Sequence, residues 1–177
     1  KLGIEHHVFN MKEQFRGYVI DYFVKEYQQG RTPNPCIACN KYLKFGAMVD
    51  KAKEMNISYI ATGHYTIIVN ENERFFLKKA KDEKKDQSYV LYNLTQELLS
   101  QTLFPLGNYR KEEIKEIAKK HRLNVEKKPE SQEICFIPDN NHFRFVTENA
   151  PNTIKRGEIL DTHGNILGYH EGTAKYT

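Results

Sequence analysis

The chain has 177 residues, long enough to bury a core, and its 28% charged and 39% hydrophobic residues are those of a globular protein. A mean hydropathy of −0.71, with no apolar run near the ~20 residues a membrane span needs and no secretory signal at the start, argues against a membrane partner and for the cytoplasm. The net charge of +4 leans toward an anionic partner, and three cysteines are too few for a disulfide scaffold, so they read as thiols, metal ligands or catalytic groups.

The opening KLGI reads as the end of a helix entering a short strand. Residues 11–29 carry Phe15, Val19, Phe23 and Tyr27 at four-residue spacing and predict an amphipathic helix closed by Gly30. Residues 32–40 spell TPNPCIACN. Pro33 and Pro35 fix φ and push Thr32 and Asn34 toward extended backbone, which predicts a stiff loop that does not join the next helix. That helix is expected over 41–55 with Asn40 as its N-cap, leaving Cys39 just outside the N-terminus. There the helix dipole, with Lys41 and Lys44, would favour a thiolate.

Residues 57–62, ISYIAT, predict a short buried strand that ends at Gly63 and His64. Helix, strand and a glycine at the strand's carboxyl end is the pattern of an open α/β sheet, where ligands bind beyond the strand ends. Residues 65–69 and 74–78 predict a hairpin across Asn70, Glu71, Asn72 and Glu73. From Arg74 to Lys85 six basic residues face two acidic ones, either a solvated hairpin or a phosphate-contacting strip. Short helices are expected within 88–101, a turn at FPLG (104–107), and helices over 110–121 and 141–148. Pro151 and Asn152 read as a linker, and two strands are expected around 161–165.

The chemistry centres on cysteine. A structural zinc site needs four ligands, and beyond Cys36 and Cys39 there are only Cys135 and scattered histidines such as His64 and His121. A thioredoxin-like C-x-x-C would follow a strand and open a helix, whereas here a diproline loop precedes it. Cys135 lies in SQEICFI beside Glu130 and Glu133, where, taken alone, it reads more readily as a buried strand residue than as a functional one.

In order and spacing, GRTPNPCIACNKYLKF, IATGHY, KDQSYVLYNL, FPLG and SQEICFI resemble the tRNA-specific 2-thiouridylases, which replace the C2 oxygen of the wobble uridine with sulfur. The resemblance covers nearly the whole chain. It implies that ATP, with Mg2+, adenylates the uridine oxygen, that Cys39 is the nucleophile, and that Cys135 carries a persulfide sulfur loaded by a sulfur-donor protein, a cysteine desulfurase or relay. A disulfide bond is implied as well. Gly63 matches a position whose backbone approaches ATP. His64 and the triplet Lys85, Asp86 and Gln87 match tRNA-contacting positions, and Asn34, Pro35 and Cys36 match the loop that touches the target base.

The implied fold is α/β. Residues 1–101 would be part of an ATP-pyrophosphatase domain of the adenine nucleotide alpha hydrolase type with a parallel sheet, 102–152 a small, mainly helical tRNA-binding domain, and 153–177 the start of a β-barrel. Two departures stand out. Many members carry an aspartate where this chain has Cys36, and a third thiol raises an alternative, an iron–sulfur cluster held by Cys36, Cys39 and Cys135. The glycine-rich S-G-G-x-D-S loop that holds pyrophosphate in the family does not occur in the sequence, so the chain is expected to be an internal fragment, inactive alone. A catalytically inactive tRNA-binding module and a purely structural metal-binding protein are the other readings.

Overall fold

The computed structural model describes residues 3–123, 134–151 and 155–176. Its helices are α1 (residues 12–28), α2 (residues 35–54), α3 (Gln96–Ser100), α4 (Lys111–Lys120) and α5 (His142–Asn149). Its strands are β1 (Ile60–Ala61), β2 (Thr66–Glu71), β3 (Arg74–Lys79), β4 (Thr102–Leu103), β5 (Gly157–Leu160) and β6 (Ile166–His170). The expected strand at KLGI does not form within the described part of that segment, and residues 3–11 hold neither helix nor strand. Glu130, Glu133 and the start of SQEICFI lie outside the described residues, as does Asn152. By Cα packing the chain divides into residues 36–140 and a second unit of residues 1–35 with 141–177.

Residues 36–140 are α/β, with a parallel pair as expected. Ile60 pairs with Thr102 and Ala61 with Leu103, and the ladder is continued by the amide of Thr62 donating to the Leu103 carbonyl at 3.1 Å. Parallel strands cannot be joined by a tight turn, so the whole hairpin and α3 are inserted between them. The hairpin runs from Thr66 opposite Lys79 to Glu71 opposite Arg74. Its loop is two residues rather than the four expected, because Asn72 and Glu73 both take positive φ, 51° and 63°. That is the twist a two-residue hairpin turn requires. The core is Phe45, Val90, Leu91 and Phe104, with Ile60, Ile68, Leu77 and Leu98 packed on it.

The largest correction concerns α2. Helical geometry begins at Pro35 and runs unbroken to Glu54, so the diproline stretch leads into the helix instead of stopping before it. Proline is accommodated there because the first N–H of a helix has no intrahelical acceptor to lose. Cys39 is therefore inside the helix, at φ −59° and ψ −46°. Asn40 is not a cap: its side chain is 3% exposed, and Nδ2 donates to the Val90 carbonyl at 3.3 Å. Residues 40–47 are wound in wide, π-type turns, and the amide of Met48 donates to the Leu43 carbonyl five residues back.

In the second unit, α1 has the predicted apolar stripe, with Val19, Phe23 and Tyr27 buried. Phe23 meets Phe145 of α5 with ring centroids 6.1 Å apart, and Tyr27 Oη lies 3.5 Å from His142 Nδ1. Asn141 caps α5 by accepting from the Arg144 amide at 2.9 Å. Strands β5 and β6 form the expected antiparallel pair. Among the described residues no helix is long and apolar enough to cross a membrane.

Candidate active site

Cys36 and Cys39 occupy the first turn of α2, three residues apart and so on one face. Cys135 stands on a tight turn in which the Ile137 amide donates to the Ile134 carbonyl at 2.9 Å, anchored by the fully buried Ile137. Burial chiefly raises the pKa of both Cys36 and Cys39, and Cys135 lies near enough to add to the rise electrostatically. No disulfide joins them, and each is a thiol.

The expected thiolate preference is reversed at rest. Desolvation pushes both Cys36 and Cys39 above the ordinary thiol range, although Cys36 is open at its surface. Lys44 pulls both the other way, as anticipated for it. Lys41 takes no part in this; its Nζ lies 4.9 Å above the ring of Tyr42.

Lys44 is held by a short chain of contacts. Its Nζ lies 3.4 Å from His64 Nε2, and His64 Nδ1 lies 2.7 Å from Thr62 Oγ1. An ammonium only donates, so Nε2 accepts, and the ring proton sits on Nδ1 and is donated to Thr62. His64 is buried between Phe45 and Phe104, with centroids 6.2 and 6.0 Å away. Burial, reinforced by the Lys44 charge, lowers its pKa to about 4, so it is neutral at physiological pH. Thr62 was missed in the sequence; the only signal was its place two residues before a histidine at a strand end.

The remaining predicted residues divide. Gly63 is exposed at the end of β1, and an added Cβ would meet only Leu106 Cδ1, at 3.7 Å. Packing within the chain does not forbid a side chain there. Pro35 is buried as the first helical residue, and Asn34 just before it is half-buried. Asp86 faces inward, its Oδ1 accepting from the Ala80 amide at 2.8 Å and its Oδ2 from Ser88 Oγ at 2.7 Å. Gln87 grips Tyr65 twice: Oε1 accepts from the Tyr65 amide at 3.0 Å, and the Gln87 amide donates to the Tyr65 carbonyl at 2.8 Å. Lys85 is half-buried in the short turn just before them.

The iron–sulfur alternative does not fit this arrangement. Among the described residues no group of three or more His, Cys, Asp or Glu side chains is placed to hold a metal ion. Two open grooves of 570 and 640 Å³ share Tyr59, Phe75 and Ser100, and neither is lined by a thiol or by any other predicted site residue. The reactive side chains are Cys36, Cys39 and Cys135, with Lys44 beside the α2 thiols.

Residues 1–139 match the family model described as the tRNA methyl transferase HUP domain. The chain is 54% identical over 177 residues to the tRNA-specific 2-thiouridylase MnmA 2 of Clostridium botulinum, covering 100% of this chain and 50% of the relative. It is 55% identical to the tRNA-specific 2-thiouridylase MnmA of Clostridium perfringens and 53% identical to MnmA 2 of Clostridium tetani, each match covering 100% of this chain and 49% of the relative. The chain thus spans about half the length of the curated relatives it matches. With its parallel pair, its open glycine at a strand end and its match to the HUP model over most of its length, the chain belongs to the tRNA-specific 2-thiouridylase family.

Proposed function

We propose that this chain supplies the sulfur-transfer centre of an enzyme that 2-thiolates the wobble uridine of tRNA at the expense of ATP. The observation that carries this reading is that Cys135, 96 positions away by number, and the Lys44 ammonium both lie near enough to Cys39 to act on it electrostatically. Two thiols within electrostatic reach of each other suit a relay in which sulfur passes from a carrier to a substrate carbon. The family description names methyl transfer, but a coupled thiol pair is the equipment of sulfur transfer.

In this reading ATP converts the C2 oxygen of uridine into a leaving group. Cys135, exposed at its turn, receives a persulfide from a sulfur-donor protein and directs the terminal sulfur at C2 as AMP departs. The Cys39 thiolate then attacks the Cys135 sulfur. The thiocarbonyl is released, and a Cys39–Cys135 disulfide remains for an external thiol to reduce. Gly63 presents its open backbone to the nucleotide. Lys85 meets the tRNA backbone, while Asp86, Gln87 and His64 shape the surface from within. Asn34 and Cys36 border the target base. No residue is assigned to Mg2+.

The test uses a protein of the relatives' full length that carries this chain. Cys39→Ser and Cys135→Ser should each abolish thiolation of tRNA while leaving tRNA affinity within about twofold, since neither removes a cation. Thiolation that survives either substitution would refute the assignment.

A further inference from the structure

The thiols of α2 need a partner that the resemblance does not assign. Cys39 and Lys44 are five residues apart. In an α-helix that separation puts two side chains about 140° apart, on nearly opposite faces. In wide turns with i→i+5 bonding, about 4.4 residues per turn, the same separation is only about 50°. Residues 40–47 are wound in this way, with Met48 donating to Leu43 five residues back. A glycine sits within the wide segment at Gly46, where an added Cβ would come 3.1 Å from the Lys41 carbonyl oxygen. The unusual winding therefore swings Lys44 round to the face that carries Cys36 and Cys39.

A long side chain on the right face still needs an anchor. His64 supplies one: its Nε2 lies 3.4 Å from Nζ, and its own orientation is fixed by Thr62 at 2.7 Å and by the rings of Phe45 and Phe104. A neutral imidazole acceptor holds an ammonium without cancelling its charge, which a carboxylate would do. The charge stays available to the sulfurs. Among the described residues, the titratable groups shifted by Lys44 are His64 from the end of β1 and Cys36 and Cys39 from its own helix, and Cys135 acts on the same two thiols.

We infer that Lys44, brought to the thiol face by the wide turns of α2 and anchored by His64 Nε2, is the positioning cation that stabilises the anionic sulfur at Cys36 and Cys39. The inference rests on the sulfur-transfer reading for its purpose, but not for its test. Burial opposes thiolate formation at both cysteines, so without Lys44 the reactive form is harder to reach. Among the described residues the same cation acts on both thiols.

The test is thiol-resolved alkylation of this chain by iodoacetamide between pH 6 and 9, read by mass spectrometry. In Lys44→Met the alkylation of Cys39 at pH 7.5 should slow by roughly threefold to tenfold, with the limiting rate at high pH unchanged. Lys44→Arg, which keeps the charge, should recover most of the native rate. Far-UV circular dichroism and the urea midpoint confirm that each variant is folded. A Lys44→Met profile that overlays the native one would overturn the inference, and so would a Lys44→Arg profile as slow as that of Lys44→Met. The sulfur-transfer reading is judged separately by the Cys135→Ser thiolation assay, so either can fail while the other stands.

Discussion

A methyl group added at Gly107 would stand 1.9 Å from the carbonyl oxygen of Thr66 and 2.6 Å from its carbonyl carbon. Neither backbone can retreat. Thr66 is fully buried and ties its Oγ1 to the Lys78 carbonyl at 2.8 Å, while the Gly107 carbonyl accepts from the Lys81 amide at 2.9 Å. The glycine of FPLG is thus required for a close approach to the base of the hairpin, not for an unusual φ. Gly107→Ala should cost about 3 kcal/mol or more, the upper end of overpacking penalties, because backbone and not a flexible side chain must move. Urea unfolding of the chain measures this, and a loss within ~0.5 kcal/mol would mean that the turn is free to shift.

Asn40 distinguishes the expected helix start from the observed one. Aspartate is as good an N-cap as asparagine, so at a cap Asn40→Asp would be neutral or slightly stabilising. Inside α2 the same change replaces the buried donor to the Val90 carbonyl with a carboxylate that faces that carbonyl. The cost should be about 3 kcal/mol near neutral pH, easing in acid as the carboxyl takes a proton. Denaturation midpoints at pH 7 and pH 4.5 decide between the two, and equal stability of variant and parent at pH 7 would restore the cap.

These two residues mark how far the sequence could be read. Periodic apolar positions gave α1, α4 and α5 to within a residue or two, because Phe23 and Ile114 repeat at helical spacing whatever surrounds them. The hairpin was visible from its β-rich runs, but its two-residue turn was not, since Asn72-Glu73 lacks the glycine that normally signals such a turn. Two prolines near a helix start are ambiguous by nature: Pro35 can break a helix or open it, and only packing of the following turn decides. The wide winding of residues 40–47 left no trace beyond Gly46, so the meeting of Lys44 with the thiols could be seen as proximity in sequence but not as a shared face. The roles of Asp86 and Gln87 were hidden for a different reason, because a polar side chain in a basic loop looks the same whether it faces outward or inward.

Asp86 and Gln87 should behave as internal ties. Asp86→Ala removes acceptors from the Ala80 amide and the Ser88 hydroxyl, and Gln87→Ala removes the acceptor of the Tyr65 amide. Each should lose about 1–3 kcal/mol of stability in the isolated chain, where no RNA is present. Lys85→Ala, by contrast, should weaken tRNA binding by the full-length enzyme and lower the salt slope of log affinity by about one. Asp86→Ala and Gln87→Ala chains that unfold like the parent would return both residues to direct RNA contact.

His64 makes the chain sensitive to acid in a definite window. Its pKa is about 4 in the folded state, lowered by burial and by Lys44, against 6.5 for an unperturbed imidazole. Between those values the unfolded chain binds a proton that the folded chain does not, so stability falls as the pH drops from about 6.5 and stops falling from this source below about 4. The loss is at most about 3 kcal/mol. His64→Gln keeps a neutral amide able to accept from Lys44 and to donate to Thr62, but it cannot titrate. It should therefore cost little near pH 7 and flatten the decline between pH 6.5 and pH 4 relative to the parent. Because the chain's other histidines are common to both proteins, the difference between the two urea-midpoint profiles belongs to His64 alone. Parallel profiles would mean that His64 takes a proton as readily in the folded chain as in the unfolded one, so that neither its burial nor Lys44 keeps it neutral between pH 6.5 and pH 4.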